Sequence, residues 1–116
     1  CNELATVQHY GLPIITVLFN NQTLGMVRQW QSLIYDRRYS QTSLENRSPD
    51  FVKFADAFGL KARRVTQPSE LAEALTEALA ESAQGRGYVI DCAINADEMV
   101  HPMVNGGHHI TEFLLS

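Results

Sequence analysis

The stretch from Ile14 to Asn21 constrains what this chain can fold into more than any other part of the sequence. Six consecutive apolar or β-branched residues end at Phe19, and two carboxamides, Asn20 and Asn21, follow at once. Such an uninterrupted run is typical of a parallel strand covered on both faces, because a strand with one face in water alternates apolar and polar residues. Parallel strands need helical crossovers, so the run favours an α/β fold. Open α/β sheets bind ligands beyond the carboxyl ends of their strands, which makes the two asparagines a candidate site.

Local patterns along the rest of the chain indicate the same fold class. Helical spacing of apolar residues, with Gly and Pro boundary signals, predicts helices, and apolar β-branched runs predict further strands. The predicted fold is an open, mainly parallel sheet with helices on both faces. We expect helices at about 2–9, 24–35, 51–58 and 70–81, and strands at 14–19, 60–65 and 88–94.

The helix that begins at Pro68-Ser69-Glu70 has the clearest amphipathic pattern. We expect its apolar stripe to face the sheet and its glutamates to be solvated. The stripe comprises Leu71, Ala74, Leu75, Ala78 and Leu79, and the acidic face comprises Glu70, Glu73, Glu77 and Glu81.

Two segments have no regular pattern. Residues 36–49 are polar without a clean period, and residues 99–116 contain Pro102, Gly106 and Gly107. Long irregular segments in a compact domain are often functional lids. We therefore expect 36–49 to be a mobile loop and 99–116 to be an irregular C-terminal tail.

The composition argues against several classes of partner. The formal net charge is −4 and the basic residues are scattered, whereas nucleic acids and anionic membranes require a concentrated basic face. No stretch approaches the roughly 18 to 20 apolar residues of a membrane span. Cys1 and Cys92 lack the spacing of a zinc site or a disulfide framework, which favours a reduced, cytoplasmic setting.

Cysteine and histidine give weak site signals. Cys92 lies inside an apolar strand pattern without a nearby base, which is typical of an inert, buried thiol. His108 and His109 are adjacent, but His9 and His101 are remote and no Cys or carboxylate stands at ligand spacing. Solvated histidines are therefore favoured over a zinc or copper site.

Two pairs of residues each allow two interpretations. On local grounds Asn20-Asn21 is more often a turn than a ligand site, although an amide oxygen can join the oxygen shell of a hard cation without adding charge. Met26 and Trp30 are four residues apart and share one helix face, either as part of a core stripe or as the lining of a channel. Arg28 and Gln29 lie on other faces of that helix and are expected at the surface or in an interface.

Several motifs occur in an order that is typical of one enzyme family. The chain resembles the C-terminal half of the thiamine diphosphate-binding motif of acetolactate synthase (acetohydroxyacid synthase) large catalytic subunits. The asparagine pair is shared by many thiamine enzymes, whereas the Gly-Met-Val-x-Gln-Trp-Gln extension is much more specific. The motifs are Asn2-Glu3-Leu4-Ala5-Thr6, Leu12-Pro13, Asn20-Asn21, Gly25-Met26-Val27-Arg28-Gln29-Trp30-Gln31, Tyr39-Ser40, Pro49-Asp50-Phe51-Val52, Ala57-Phe58-Gly59 and Pro102-Met103-Val104.

The resemblance implies roles for individual residues. Asn21 would bind Mg²⁺ through its side chain, and Thr23 would bind it through the backbone carbonyl. Met26 and Trp30 would line the substrate channel, with Trp30 helping to select the second oxo acid. The Gly-Asp-Gly triplet that opens the family motif would fall before Cys1, so residues 1–116 would be the C-terminal portion of a thiamine pyrophosphate-binding domain truncated at its N-terminal side. The cofactor-binding set would be Asn20, Asn21, Thr23, Gly25 and Met26.

The resemblance also implies the reaction of a parent enzyme. Acetolactate synthases use thiamine diphosphate and Mg²⁺ to condense pyruvate with pyruvate or 2-oxobutanoate, which forms acetohydroxy acids for branched-chain amino acid biosynthesis. FAD would bind a domain absent here, and the parent would be a homodimer or tetramer that a regulatory small subunit can join. The isolated chain is expected to bind cofactor poorly and to be inactive. Two alternatives stay open: a piece of another thiamine diphosphate-dependent decarboxylase or carboligase, and a non-catalytic binding module of the same fold.

Overall fold

The computed structural model describes residues 2–45 and 47–114, with the side chain of Leu114 excepted. Its helices and strands fall close to the predicted ranges, and a short 3-10 turn at Pro68–Glu70 leads into the longest helix. Helices are α1 (Asn2–Tyr10), α2 (Gly25–Ile34), α3 (Phe51–Asp56) and α4 (Leu71–Ser82), and strands are β1 (Ile15–Asn20), β2 (Lys61–Val65), β3 (Tyr88–Ala93), β4 (Met103–Val104) and β5 (Phe113–Leu114).

Strands β1, β3 and β2 lie side by side in that order, and both pairings are parallel. At the carboxyl edge Asn20 is the register partner of Ala93, and Val65 is the partner of Cys92. The predicted parallel α/β sheet is confirmed. Because all three strands run the same way, the residues that follow them meet at one edge of the sheet.

Helices cover both faces of this sheet, as predicted. On one face the small side chains of Ala74 and Ala78 in α4 pack against Ile90 and Cys92 of β3. The opposite face is covered by α1 and α3, where Val7 and Ala55 lie in one apolar cluster with Leu60 and Val89. The core is therefore two thin apolar layers with β3 between them.

Strand β1 differs from the prediction that it is covered on both faces. It is an edge strand in the described sheet, and Phe19 is 72% exposed. Helix α4 lies chiefly over β3, and its alanines make the close approach. The predicted apolar stripe of α4 is accordingly divided, because its alanines are buried whereas its leucines are exposed at Leu71, Leu75 and Leu79.

The acidic residues of α4 form ion pairs with β2, and the prediction that Glu81 is solvated is wrong. Glu81 is buried between Lys61, whose Nζ lies 2.8 Å from Oε1, and Arg86, whose Nε donates to Oε2. Glu73 and Glu77 both bind Arg63, at 2.8 and 2.7 Å. A charge near the end of a helix is buried here because two cations from neighbouring segments reach it.

The C-terminal tail, which the sequence predicts to be irregular, contains a short antiparallel pair. Met103 pairs with Leu114 and Val104 pairs with Phe113. Gln29 of α2 anchors this tail, since its Oε1 accepts from the Val100 N–H at 2.9 Å and its Nε2 donates to the Val100 carbonyl at 3.0 Å. Gln29 is only 3% exposed, so of the two expected positions, surface or interface, the surface position is wrong: the residue lies in the contact between α2 and the tail.

Other polar residues of α2 bind the segment 36–49 and Asp97, which lies just before the tail. Arg28 pairs with Asp97 at 2.7 Å, and its guanidinium carbon lies 3.8 Å from the centre of the Tyr39 ring. Gln31 Nε2 donates to the Ser40 carbonyl at 3.1 Å. Both irregular segments are thus fastened to one helix, while their mobility stays a prediction.

The Glu81 contacts predict a loss of stability in acid. Hydrogen bonds from Arg86 and then Lys61 lower the pKa of Glu81 from its ordinary value of 4.5 to about 2. A carboxyl group with a depressed folded-state pKa stabilises the fold above the unfolded pKa and loses that contribution as the pH falls through the folded one. We expect the free energy of unfolding to fall between pH 4.5 and about 2, and Glu81→Gln to flatten this part of the profile.

Urea unfolding of the chain across this pH range would measure the effect. Glu73→Gln is the comparison variant, because the ion pair that it removes is exposed and should cost less stability at neutral pH. Equal losses for the two variants at neutral pH would contradict the role given to Glu81.

The contacts of Gln29 predict a specific effect on the tail. Gln29→Leu keeps the approximate side-chain size but removes both backbone hydrogen bonds to Val100. We expect a cost of about 1–3 kcal/mol and faster amide exchange around Val100. Gln31→Leu should instead increase exchange around Ser40, so hydrogen-exchange mass spectrometry of the two variants provides reciprocal controls. Unchanged exchange at Val100 in the Gln29 variant would show that the tail is held elsewhere.

Candidate functional site

The carboxyl edge of the sheet brings together the turn after β1 and the start of α2. The Asn20 carbonyl accepts from the Ile94 N–H at 3.1 Å, which holds the end of β1 against the residue that follows β3. The chain then turns through residues 21–24 and enters α2 at Gly25. The predicted position of the asparagine pair, at the end of a parallel strand, is confirmed.

Both asparagines form the turn with their side chains. Asn20 Oδ1 accepts from Gln22 N at 3.2 Å and from Gln22 Nε2 at 2.8 Å, while Asn21 Oδ1 accepts from Thr23 N at 3.2 Å. Gln22 has φ +54°, a left-handed conformation that is uncommon outside glycine and asparagine. The turn interpretation of the pair is therefore confirmed, and it leaves room for a ligand role because an amide oxygen has a second lone pair.

The segment 42–44 runs along this turn and holds it. Leu24 N donates to the Thr42 carbonyl at 2.9 Å, and Leu44 N donates to the Gln22 carbonyl at 2.7 Å. The Thr23 hydroxyl also donates to the Thr42 carbonyl, at 2.8 Å, and Thr23 is buried. No described residue donates to the Thr23 carbonyl, so this oxygen is free to accept a cation.

The chemistry of these groups fits a hard divalent cation. Asn21 Oδ1 and the Thr23 carbonyl are neutral oxygens on one short turn, and Mg²⁺ takes such oxygens together with water and phosphate. Gly25 fits the same arrangement, because a Cβ there would lie 2.9 Å from Asn21 Nδ2. A side chain at position 25 would push the Asn21 carboxamide out of its place.

The N-terminus of α2 fits an anionic group beside that cation. The residue before the helix, Leu24, provides no side-chain cap, so the first amide groups of this 10-residue helix have no side-chain acceptor among the described residues. Free N–H groups and the helix dipole favour phosphate oxygens at such a position. A diphosphate bound to a Mg²⁺ matches both halves of this site.

Met26 and Trp30 lie on the outer face of α2. Met26 is 47% exposed and Trp30 is 48% exposed. The other apolar side chains of the helix are also at least 40% exposed, so within the described chain this helix has no buried apolar stripe. Trp30 lines a shallow cavity of about 380 Å³ together with Val27, Gln31, Tyr35 and Arg38. Within the described residues the pair is not packed in a core, and the channel role of the pair remains a prediction.

A charged network that no sequence motif indicated lies beneath the asparagine turn. Asp91 of β3 is fully buried and accepts from Asn20 Nδ2 at 2.9 Å and from Arg64 Nε at 2.9 Å. Arg64 Nη2 also donates to Asp50 Oδ1 at 3.3 Å, and Asp50 caps α3 by accepting from two backbone N–H groups. The available signal was one acidic residue inside the apolar run of residues 88–94, since a buried carboxylate requires partners.

The remaining candidate residues lie outside this site. Cys92 is buried, and this burial raises the pKa of its thiol, as expected for an unreactive cysteine. His108 contacts Glu112 at 2.9 Å. Across residues 2–45 and 47–114 no three His, Cys, Asp or Glu side chains are grouped so as to hold a metal ion. Nor does any helix in that part of the chain have the length and apolarity needed to cross a membrane.

Comparison with known proteins relates this chain to thiamine enzymes. The chain is 42% identical over 112 residues to a probable acetolactate synthase large subunit of Methanocaldococcus jannaschii, an alignment that covers 97% of this chain and 18% of that protein. It is 40% identical over 114 residues to the acetolactate synthase isozyme 3 large subunit of Escherichia coli, with coverage of 98% and 20%. The chain therefore spans about a fifth of the length of the curated relatives it matches.

A solved structure has the same fold. The thiamine diphosphate-dependent 4-hydroxybenzoylformate decarboxylase of Rhodococcus jostii superposes with a TM-score of 0.67 at 22% identity, over 79% of this chain and 16% of that one. Residues 1–92 match the family model described as thiamine pyrophosphate enzyme, C-terminal TPP binding domain. The chain belongs to this family of thiamine pyrophosphate-binding domains.

Proposed function

We propose that this chain is part of the catalytic large subunit of an acetolactate synthase, which condenses pyruvate with pyruvate or 2-oxobutanoate to acetohydroxy acids. One observation carries the proposal: the asparagine turn leads directly into the start of α2, which has no side-chain cap. Met26 and Trp30 lie on the exposed face of the same helix. The named relatives support this assignment, because they share about 40% identity over nearly the whole chain and are acetolactate synthases.

Residues of the turn would hold the cofactor. Asn21 would bind Mg²⁺ through Oδ1 and Thr23 through its carbonyl, while the amide groups at Gly25 and Met26 would face the diphosphate. Asn20 would shape the turn. Thiamine diphosphate, when bound, supplies the electron sink for decarboxylation of a 2-oxo acid, and the protein supplies binding, orientation and exclusion of water.

The outer face of α2 would take part in substrate selection. Met26 and Trp30 form an apolar surface on the first two turns of α2, directly after the turn that would hold the metal. A large aromatic side chain at such a position can favour the longer of two oxo acids by contact with its additional methyl group.

The proposal extends to the rest of the enzyme. The parent protein would bind FAD through another domain, assemble as a homodimer or tetramer, associate with a regulatory small subunit and act in the cytoplasm. Exposed apolar residues along α2 support assembly, since an apolar surface of this kind in a soluble protein usually contacts a partner.

The proposal predicts a metal-dependent defect for Asn21→Ala. In the full-length enzyme that contains this segment, the Mg²⁺ concentration for half-maximal acetolactate formation should rise by about tenfold or more, because one oxygen ligand is removed. The control is Gln84→Ala, which removes an exposed carboxamide beyond the end of α4. Wild-type metal dependence in the Asn21 variant would contradict the proposed ligand, and absence of thiamine diphosphate-dependent acetolactate formation in the unmodified enzyme would contradict the function.

A second prediction concerns the choice of substrate. Trp30→Leu should lower the preference for 2-oxobutanoate over pyruvate by about tenfold, the scale of discrimination available from one methylene contact. The measurement is the ratio of the two acetohydroxy acids formed in competition. Leu79→Ala shortens an exposed apolar side chain on α4 instead and should keep the wild-type ratio. An unchanged ratio for Trp30→Leu would place the selecting residue elsewhere, and a related thiamine decarboxylase would form neither product.

A further inference from the structure

We propose that Asp91 and Arg64 are positioning residues that fix the carboxamide of Asn20 and, through it, the turn that presents Asn21 to the cofactor. This inference rests on the proposed function, because it assigns a role toward the diphosphate and metal site. Arg64 lines a cavity with Asn20 and Gln22, but within the described chain neither Arg64 nor Asp91 forms a hydrogen bond with residues 21–24. Their effect would pass through the hydrogen bond between Asp91 and Asn20.

The contacts of Asp91 are those of a dedicated acceptor. Its side chain is 0% exposed, Oδ1 accepts from Asn20 Nδ2 and Oδ2 accepts from Arg64 Nε, both at 2.9 Å. Burying a carboxylate is costly unless every oxygen is paired, and an apolar residue in the centre of a sheet would avoid that cost. A carboxylate at position 91 is therefore better explained by its orientation of the Asn20 side chain than by a gain in stability.

A carboxylate can select one of the two orientations of an amide. An ionised carboxylate only accepts hydrogen bonds, so it can bind only the NH₂ end of Asn20. The Asn20 oxygen must then face Gln22, where it accepts from both the backbone N–H and the side-chain Nε2. If the Asn20 carboxamide were reversed, its NH₂ group would face the Gln22 N–H. The two hydrogen bonds from Gln22 to Asn20 would be lost, and the turn that contains Asn21 would no longer be held closed.

Arg64 in turn holds Asp91. Its register partner on β3 is Asp91, so the two side chains lie on the same face of the sheet, and Nη2 reaches Asp50 at the start of α3. The guanidinium group therefore joins three elements: β2, β3 and the cap of α3. The planar guanidinium group binds Oδ2 of Asp91, while Asn20 binds Oδ1, so the carboxylate is held on both sides.

This arrangement predicts a specific failure for Asp91→Asn. Arg64 Nε must keep an oxygen acceptor, so the carboxamide oxygen introduced at position 91 turns toward Arg64, and the introduced NH₂ group faces the NH₂ group of Asn20. Asn20 then reverses and loses the bonds to Gln22. In the full-length apoenzyme with Mg²⁺, we expect the Kd for thiamine diphosphate measured by calorimetry to rise by about tenfold or more.

A second substitution should restore the affinity. In Arg64→Gln the side-chain oxygen stands on Cδ, where Nε of arginine stands, and it can accept from the NH₂ group introduced at position 91. The carboxamide oxygen at position 91 is then free to accept from Asn20, so Arg64→Gln combined with Asp91→Asn should return the Kd to within about threefold of wild type. If Asp91 only stabilised the fold, the double variant would bind thiamine diphosphate no better than Asp91→Asn alone, because Arg64→Gln also removes the ion pair between Arg64 and Asp50.

The control is Glu81→Gln, which breaks a second buried acidic ion-pair group, near the amino edge of the sheet. It should lower the unfolding temperature but leave the Kd for thiamine diphosphate within about threefold of wild type. If Asp91→Asn binds as wild type does, or if the double variant binds as poorly as the single one, the inference is overturned.

Two further outcomes are decisive. Should Asp91→Asn fail to fold, Asn20→Ala removes the same hydrogen bond from its other partner, and wild-type affinity in that variant would overturn the inference. If the unmodified apoenzyme fails to bind thiamine diphosphate, the proposed function itself fails. Binding by the unmodified enzyme with no effect at Asp91 would refute the positioning role alone.

Discussion

The parallel register between β1 and β3 determines where the polar groups of this domain lie. Asn20 is opposite Ala93 and Leu18 is opposite Asp91, so the Asn20 and Asp91 side chains lie on the same face of the sheet and can form a hydrogen bond. A slip of one residue would turn Asn20 toward α4 and away from its acceptor, because side chains alternate along a strand. The turn, the start of α2 and everything fastened to α2 follow from this single alignment.

Helix α2 has an unusual distribution of polarity. Its polar residues Arg28, Gln29 and Gln31 point toward neighbouring segments and bind the tail and the 36–49 segment, whereas Met26 and Trp30 face outward. The motif Gly-Met-Val-x-Gln-Trp-Gln can be understood in these terms. Its glutamines hold the tail and the 36–49 segment by hydrogen bonds, and its glycine leaves room for the Asn21 side chain. Its methionine and tryptophan are available for contacts outside the described chain.

Much of the fold could be predicted from sequence because it depends on local signals. The apolar runs of β1 and β3, the glycine after α1 and the Pro-Ser-Glu start of α4 each specify structure within a few residues. The burial of Gln29 and Glu81 could not be predicted this way, since their partners include segments 20 or more residues distant. The exposure of Phe19 has the same origin, because it depends on which strands lie beside β1. The candidate site was proposed from a motif, while the Asp91 network beneath it could be found only from the sheet register.

The outward-facing apolar residues of α2 have a consequence for how such a domain can change over evolutionary time. Side chains buried in the core of this chain are coupled to its stability, so most replacements there are selected against. Met26 and Trp30 contribute little to that core, as about half of each side chain is exposed. If they contact substrate as proposed, specificity can diverge by substitution at these positions with little effect on folding. Gln29 and Gln31 stay constrained by the segments they hold, so one helix combines an evolvable surface with a fixed scaffold.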